Sequence, residues 1–99
     1  LPKLESSHVV DHALFYRLYF LLNDALKPQH DRVHVLTYDE IQGWCIELQE
    51  GTKIVLGRKA FWPRIKRFKQ YWPSINKQAK KHYHIDMRYR HGFAVSAQD

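Results

Sequence analysis

Residues 44–56 have the sequence WCIELQEGTKIVL, and this segment predicts a β-hairpin. In its first half Trp44, Ile46 and Leu48 alternate with Cys45 and Glu47, as residues on the two faces of a strand do. A three-residue hairpin loop places its left-handed residue last, and a glycine occupies that position of residues 49–51 at little steric cost. The predicted facing pairs, which gather the large apolar side chains on one face, are Leu48–Thr52, Ile46–Ile54 and Trp44–Leu56.

The residues that precede the hairpin predict a helix and then a strand. Apolar residues recur at spacings of three and four over residues 10–26, with Ser6 and Ser7 as candidate N-caps and Pro28 as the stop. The wide apolar face of this helix predicts that it packs under a sheet. The β-branched segment 33–38, VHVLTY, predicts a short strand.

After the hairpin we expect a second helix and two more strands. The helix is predicted from about Lys59 to Tyr71, with Pro63 tolerated in its first turn and a break at Pro73 and Ser74. Its spacing predicts a buried stripe of Phe61, Ile65, Phe68 and Trp72. Residues 75–81 predict a short helical or irregular piece, residues 82–90 a half-buried strand, and residues 93–97 a final strand.

This order of elements predicts one α+β domain that spans residues 1–99. We expect a mostly antiparallel sheet with helices packed on one face, because the links between strands are short. The last strand is the best candidate for an exposed edge, since nothing follows it in the sequence to cover it.

The charge of the chain is distributed unevenly. Sixteen Lys and Arg against ten Asp and Glu give a net charge of +6, and residues 51–85 contain ten basic residues and no acidic one. Such a field suggests an acidic partner, nucleic acid or an anionic membrane surface, although a solvated basic face also explains it. No stretch is long and apolar enough to span a bilayer, and no signal peptide is recognisable. Because no initiator Met is present, we expect a fragment of a longer chain.

No pattern in the sequence indicates catalysis, a metal or a cofactor. No nucleophile elbow, phosphate-binding loop or acid–base pair is recognisable, so we predict a protein that is not an enzyme. The pairs His8–His12 and His82–His84 have chelating spacing, but neither motif contains enough ligands for a site, which favours solvent-facing histidines. The single cysteine, Cys45, excludes an internal disulfide and is expected to fill space.

Nucleic-acid binding is an alternative that the basic segment leaves open. Basic residues alternate there with Trp62, Tyr71, Trp72 and Tyr83, and such aromatic side chains can stack on bases over a cationic groove. However, the spacing of the aromatic residues in the helix is also that of a core, and no nucleic-acid-binding motif is recognisable.

Five short motifs, in order along the chain, resemble the bacterial cell-division family FtsQ/DivIB. Near the end, DMRY at residues 86–89, followed by Gly92 and by Ala94-Val95, is similar to the family pattern D-L-R-Y-x-x-G-x-A-V. Upstream, the segments that resemble W-x-I-x-L, G, I-x-L-G-R and R-L-x-R-F begin at Trp44, Gly51, Ile54 and Arg64. Residues 1–4, LPKL, resemble the segment before the family's long helix, so the similarity extends over nearly the whole chain.

The resemblance implies a scaffold of the division machinery. Proteins of this family are single-pass inner-membrane proteins with a membrane-proximal POTRA domain and a distal β domain in the periplasm, at the septum. This chain resembles most of that β domain, without anchor or POTRA domain. The implied partners are FtsB and FtsL, with an effect on septal peptidoglycan synthesis. The implied partner-binding residues are Arg88, Tyr89, His91, Gly92, Phe93, Ala94, Val95, Ser96 and Ala97.

Some positions depart from the family pattern. Met87 replaces the usual Leu, and Phe93 stands where a smaller residue is common. Ser96-Ala97 replaces a frequent Gly-Trp, which removes an aromatic anchor, and Ile41-Gln42 stands where some relatives have arginines. These differences affect the predicted side-chain contacts rather than the predicted use of the strand.

A terminal edge strand is itself suited to binding. Its unpaired N–H and C=O groups allow a partner segment to add as a further strand, which we expect along residues 92–97. The basic residues nearby would steer an acidic partner; they are Arg88, Arg90, Arg64 and Lys66. For Arg88 the sequence also allows another role, an ion pair with Asp86 inside the sheet.

Overall fold

A computed structural model describes residues 3–6, 12–29, 31–75 and 82–98 of the chain. Along these residues run six strands and two α-helices, α1 and α2, with a short 3₁₀ helix after α1. The elements in chain order are β1 (Lys3–Ser6), α1 (His12–Leu26), the 3₁₀ helix (Lys27–Gln29), β2 (Val33–Asp39), β3 (Gly43–Leu48), β4 (Lys53–Gly57), α2 (Phe61–Ile75), β5 (His82–Asp86) and β6 (Ala94–Gln98).

The strands form one sheet in which their spatial order is their chain order, β1-β2-β3-β4-β5-β6. The pairs β2–β3, β3–β4 and β5–β6 are antiparallel, while β1–β2 and β4–β5 are parallel. Each parallel pair is joined by a helix, as a crossover connection requires. The predicted α+β fold with a mostly antiparallel sheet is confirmed, and β6 is an edge strand of this sheet as predicted.

Both helices cover the same face of the sheet. The Trp44 ring on β3 lies between them, with its centroid 5.2 Å from that of Phe15 on α1 and 5.4 Å from that of Phe61 on α2. Two right-handed crossovers in the same direction place their helices on one face, so the observed layers follow from the topology. One continuous core results, and it includes Leu22 and Leu26 of α1 together with residues of β2 to β5 and α2.

The hairpin confirms most of the predicted register. Ile46 faces Ile54, and the Leu48 N–H donates to the Thr52 carbonyl at 2.9 Å. The predicted facing of Trp44 and Leu56 is wrong, because Trp44 pairs with Gly57 across a bulge. Gly43 and Trp44 both face Gly57 there, and the φ values of Gly43, 73°, and Gly57, 81°, are conformations that favour glycine.

Helix α2 buries the predicted stripe but extends further than expected. Ile65, Phe68 and Trp72 are buried, and Phe61 is half-buried against the core. The helix begins at Phe61 and continues through Pro73 to Ile75, so the predicted break at Pro73 is wrong. Trp72 stacks on Phe68 at 5.2 Å and its indole N–H donates to the Asp31 carboxylate, and this packing holds the last turn although Pro73 lacks a donor.

Two other boundaries differ from the prediction, and a third prediction is not covered by the described residues. Ser6 lies in β1, a strand that was not predicted, and therefore is not the N-cap of α1; Ser7 lies outside the described residues. β5 ends at Asp86 rather than at Arg90, because the Asp86 carboxylate accepts the Arg88 backbone N–H at 3.0 Å and turns the chain. The predicted helical or irregular piece lies, from residue 76 to 81, outside the described residues.

Candidate functional site

Strand β6 offers one free side. It pairs with β5 alone among the described strands, and residues 94–97 are all exposed. Val95 faces Ile85 and Ala97 faces Tyr83, so both lie on the face of the sheet that carries the helices. The helix-bearing face of the sheet therefore continues onto β6 as an apolar surface, and no described helix covers it there.

The hydrogen bonds of β5 determine which residues of β6 direct their backbone groups outward. The N–H groups of Tyr83 and Met87 point toward β4, to Thr52 Oγ1 at 3.2 Å and to the Val55 carbonyl at 2.8 Å. Because these directions alternate along a strand, His84 and Asp86 direct theirs toward β6. Their partners there are Ser96 and Ala94. The backbone N–H and C=O groups of Val95 and Ala97 consequently point to the free side.

The loop between β5 and β6 carries the rest of the predicted site. Arg88, Tyr89 and His91 are exposed. The exposed fraction of Tyr89 is 54%, although tyrosine residues are usually at least half-buried. Gly92 and Phe93 are half-buried, and the Phe93 ring lies 5.2 Å from that of Tyr71 on α2. The predicted site residues thus form one continuous surface; their role in binding stays a prediction.

Arg88 forms an ion pair with Asp86. Its Nε donates to Asp86 Oδ1 at 2.9 Å and its Nη2 to Oδ2 at 2.7 Å. The hydrogen bond from the Arg88 side chain lowers the pKa of the Asp86 carboxyl, and the same contact raises the pKa of Arg88. The positive charge of Arg88 is therefore largely compensated within the protein.

Two arginines of α2 bind backbone carbonyls rather than facing solvent. Arg67 donates from Nη1 to the Tyr89 and Gly92 carbonyls, at 3.1 and 3.2 Å, and from Nη2 to the Arg90 carbonyl at 3.0 Å. Arg64 donates to the Leu56 carbonyl and, at 3.3 Å, to that of Arg88. Arg64 was predicted to steer a partner by its charge, and its contacts with carbonyls were not predicted.

A signal for these contacts exists in the sequence. No acidic residue lies within the basic segment 51–85, so an arginine of α2 has no carboxylate on its own helix and must find other acceptors if it is not fully exposed. The spacing of Arg64 and Arg67 places both on one side of the helix.

Between α2 and the loop lies a shallow groove of about 240 Å³. Its lining combines basic and apolar side chains and contains no acidic residue; it consists of Pro63, Lys66, Arg67, Gln70, Tyr71, His91, Gly92 and Phe93. A Cβ at Gly92 would meet no atom within 4 Å, so neither steric contact nor a left-handed φ requires glycine there for the fold. The groove opens directly beside the start of β6.

The other residues that the sequence indicated are aromatic side chains, Cys45 and possible metal ligands. Trp72 and Tyr83 are buried in the core, whereas Trp62 and Tyr71 are partly exposed. Burial raises the pKa of the Cys45 thiol, whose Sγ lies 3.4 Å from Gln42 Oε1. Within the described ranges no three His, Cys, Asp or Glu residues are grouped so that they could hold a metal ion, and no helix there is long and apolar enough to cross a membrane.

Comparisons with known proteins agree on one family. The family model described as "Cell division protein FtsQ/DivIB, C-terminal" matches residues 1–88. The cell division protein FtsQ of Actinobacillus pleuropneumoniae is 34% identical over 71 residues, which are 71% of this chain and 31% of that protein. FtsQ of Neisseria meningitidis is 29% identical over 80 residues, 80% of this chain and 34% of the relative, and FtsQ of Aliivibrio fischeri is 28% identical over 94 residues, 95% and 34% respectively.

The chain thus spans about a third of the length of the curated relatives it matches, and the matched family region ends at residue 88, within the loop that leads to β6. With a match over most of its length, the chain belongs to the FtsQ/DivIB family of cell division proteins.

Proposed function

We propose that this chain is the distal β domain of a single-pass inner-membrane protein, located in the periplasm at the division septum. It acts there as a scaffold without enzymatic activity. Its partner is a complex of the FtsB and FtsL type, through which it helps to regulate septal peptidoglycan synthesis. Membership of a family of cell division proteins supports a role in cell division, while the partner and the location are inferences from the family.

The partner docks by adding a strand to β6. The observation that carries this proposal is that Val95 and Ala97 direct their backbone N–H and C=O groups to the free side of an exposed edge strand. Unpaired groups of this kind are the usual template for strand addition. Val95 is 40% exposed and presents an apolar side chain to a partner that lies beside it.

The loop and groove next to β6 support the same docking surface. Tyr89 presents an exposed aromatic side chain, and the groove beside Gly92 carries positive charge without an acidic residue. Because Gly92 is not needed for the fold, its missing side chain leaves room for a partner main chain at the start of the added strand.

The proposal is tested by replacing Val95 with proline. Val95→Pro removes an outward N–H that the fold itself does not use, so the domain should remain folded, as circular dichroism and the exchange of β5 amides would show. Binding of a purified periplasmic FtsB–FtsL complex from the same bacterium, measured by isothermal titration calorimetry, should weaken at least about tenfold, the loss of one or two hydrogen bonds at the interface.

Two further variants separate the causes. Val95→Ala keeps the N–H and removes most of the side chain, so it should lose less affinity than Val95→Pro. Ala94→Pro removes an N–H that is directed toward β5, so it should lower the stability of the domain itself. A folded Val95→Pro domain that binds the complex as tightly as the original would refute strand addition.

A further inference from the structure

The Arg67 guanidinium binds three carbonyls of the β5–β6 loop. The acceptors belong to Tyr89, Arg90 and Gly92, three of four consecutive residues, at donor–acceptor distances of 3.0 to 3.2 Å. The donor sits 22 to 25 residues earlier in the chain, on α2. A single side chain therefore connects the middle of a helix with almost the whole loop.

This arrangement uses a property that is particular to arginine. Its planar guanidinium has five N–H donors in a rigid fork, whereas the ammonium of lysine is a compact charge with three rotating donors. Arg67 forms no ion pair with an acidic side chain in the described part of the chain, so the loop carbonyls are its acceptors there. Arg64, one helical turn earlier, holds the beginning of the loop through the Arg88 carbonyl at 3.3 Å.

The loop in turn sets the position of β6. Ala94 begins the strand two residues after Gly92, and between them Phe93 packs its ring against Tyr71 of α2. Since β6 is paired on one side only, the anchored loop is a main constraint on where the strand begins. An edge that is already fixed loses less conformational freedom when a partner strand adds to it.

We propose that Arg67 is a positioning residue of the docking edge: it fixes the β5–β6 loop through its carbonyls and thereby holds β6 ready for strand addition. Its effect on binding rests on the proposed function, whereas its effect on the loop does not. Arg67 need not touch the partner in this role.

The test compares Arg67→Lys with Lys59→Gln. Arg67→Lys keeps the positive charge and removes the forked guanidinium group. Lys59→Gln removes a positive charge at an exposed position before α2, outside the β5–β6 loop. In the free domain, hydrogen exchange of the Ala94 and Ser96 amides, which face β5, should accelerate several-fold in Arg67→Lys and remain unchanged in Lys59→Gln. Affinity for the purified periplasmic FtsB–FtsL complex should fall about tenfold in Arg67→Lys only.

The outcomes are distinguishable. Unchanged exchange of these two amides in Arg67→Lys would overturn the proposal. Faster exchange with unchanged affinity would overturn the role of Arg67 in binding, provided that Val95→Pro does lose affinity. If Val95→Pro also bound normally, strand addition would be wrong, and faster exchange in Arg67→Lys would still support the anchoring of the loop.

A measurement on the unmodified domain tests the proposal even if Arg67→Lys does not fold. Slow exchange and slow rotation of the Arg67 Nη–H groups in NMR spectra support the three-carbonyl contact. Free rotation of this guanidinium would overturn the proposal.

Discussion

At the scale of single residues, the ion pair between Asp86 and Arg88 makes the stability of the domain depend on pH. The pKa of Asp86 is lowered from its ordinary value of 3.8 by the hydrogen bond from Arg88. A carboxyl whose pKa is lower in the folded state contributes stability that is present above the unfolded pKa and is lost as the pH falls through the folded pKa.

Asp86→Asn should therefore destabilise the domain at about pH 6 and less so at about pH 3. The difference should stay below about 1 kcal/mol, because both side chains are partly exposed and solvent screens the pair. The asparagine Oδ1 can still accept the Arg88 backbone N–H, so the substitution tests the charge rather than the turn. Urea unfolding at both pH values measures the effect, and an equal loss at both would contradict this explanation.

Gly51 and Arg67 illustrate which single-residue features can be predicted from the sequence. The position of Gly51 was predictable because a three-residue hairpin loop requires a left-handed residue at its end, and Gly51 has a φ of 108°. The lack of acidic residues around Arg67 indicated that it needs other acceptors, but which groups it binds was not predictable, because they are backbone carbonyls far along the chain. Their direction depends on how the loop turns after Asp86, and the sequence pattern does not specify that.

At the scale of elements, Trp72 is the residue that fixes α2 against the sheet. It is 1% exposed, stacks on Phe68 and contacts Tyr83 of β5 edge to face at 6.0 Å. Trp72→Ala should lower the free energy of unfolding by about 3–5 kcal/mol, the usual cost of removing a large buried aromatic side chain. Chemical denaturation followed by circular dichroism measures this loss.

Trp62 on the same helix is the matched control. It is 43% exposed, so Trp62→Ala should cost no more than about 1 kcal/mol. Equal losses at both positions would show that tryptophan content rather than burial determines the stability of α2.

The elements that sequence periodicity predicted well are those that bury a regular stripe. Phe61, Ile65, Phe68 and Trp72 recur at helical spacing, so α2 was identified although Pro73 led to a wrong end. Strand β1 was missed because its four residues are too few for an alternating pattern to be distinguished from a loop.

At the scale of the whole molecule, the position of β6 follows from the crossovers. Helix α2 carries the chain back over the sheet, so that β5 runs parallel to β4 and pairs with it. The chain then reverses, and β6 pairs with the outer side of β5. The sequence predicted an edge at the C-terminus but not the two parallel pairs, since short strands on either side of a helix do not specify whether the chain crosses over. The candidate site thus depends on topology as much as on local sequence.

The distribution of charge over the molecule predicts how fast a partner arrives. Arg88 is paired with Asp86, and the Arg64 and Arg67 side chains are held by carbonyls, whereas the Lys66 side chain lines the groove beside β6 and is exposed. An exposed charge near a docking surface mainly changes the association rate and its salt dependence. Under the proposed function, association with the FtsB–FtsL complex should therefore slow several-fold between about 50 and 500 mM salt, with little change in dissociation.

Lys66→Glu and Arg17→Glu separate a local field from net charge. Both change the charge of the domain equally, but Arg17 lies on the exposed side of α1, which follows β1 at the opposite edge of the sheet from β6. Lys66→Glu should slow association several-fold at about 100 mM salt, and Arg17→Glu should have a clearly smaller effect, because exposed charges then act mainly within about 10 Å. Stopped-flow or biolayer interferometry measures both rates. Equal slowing by the two variants would mean that net charge alone attracts the partner and that the groove beside β6 does not direct it.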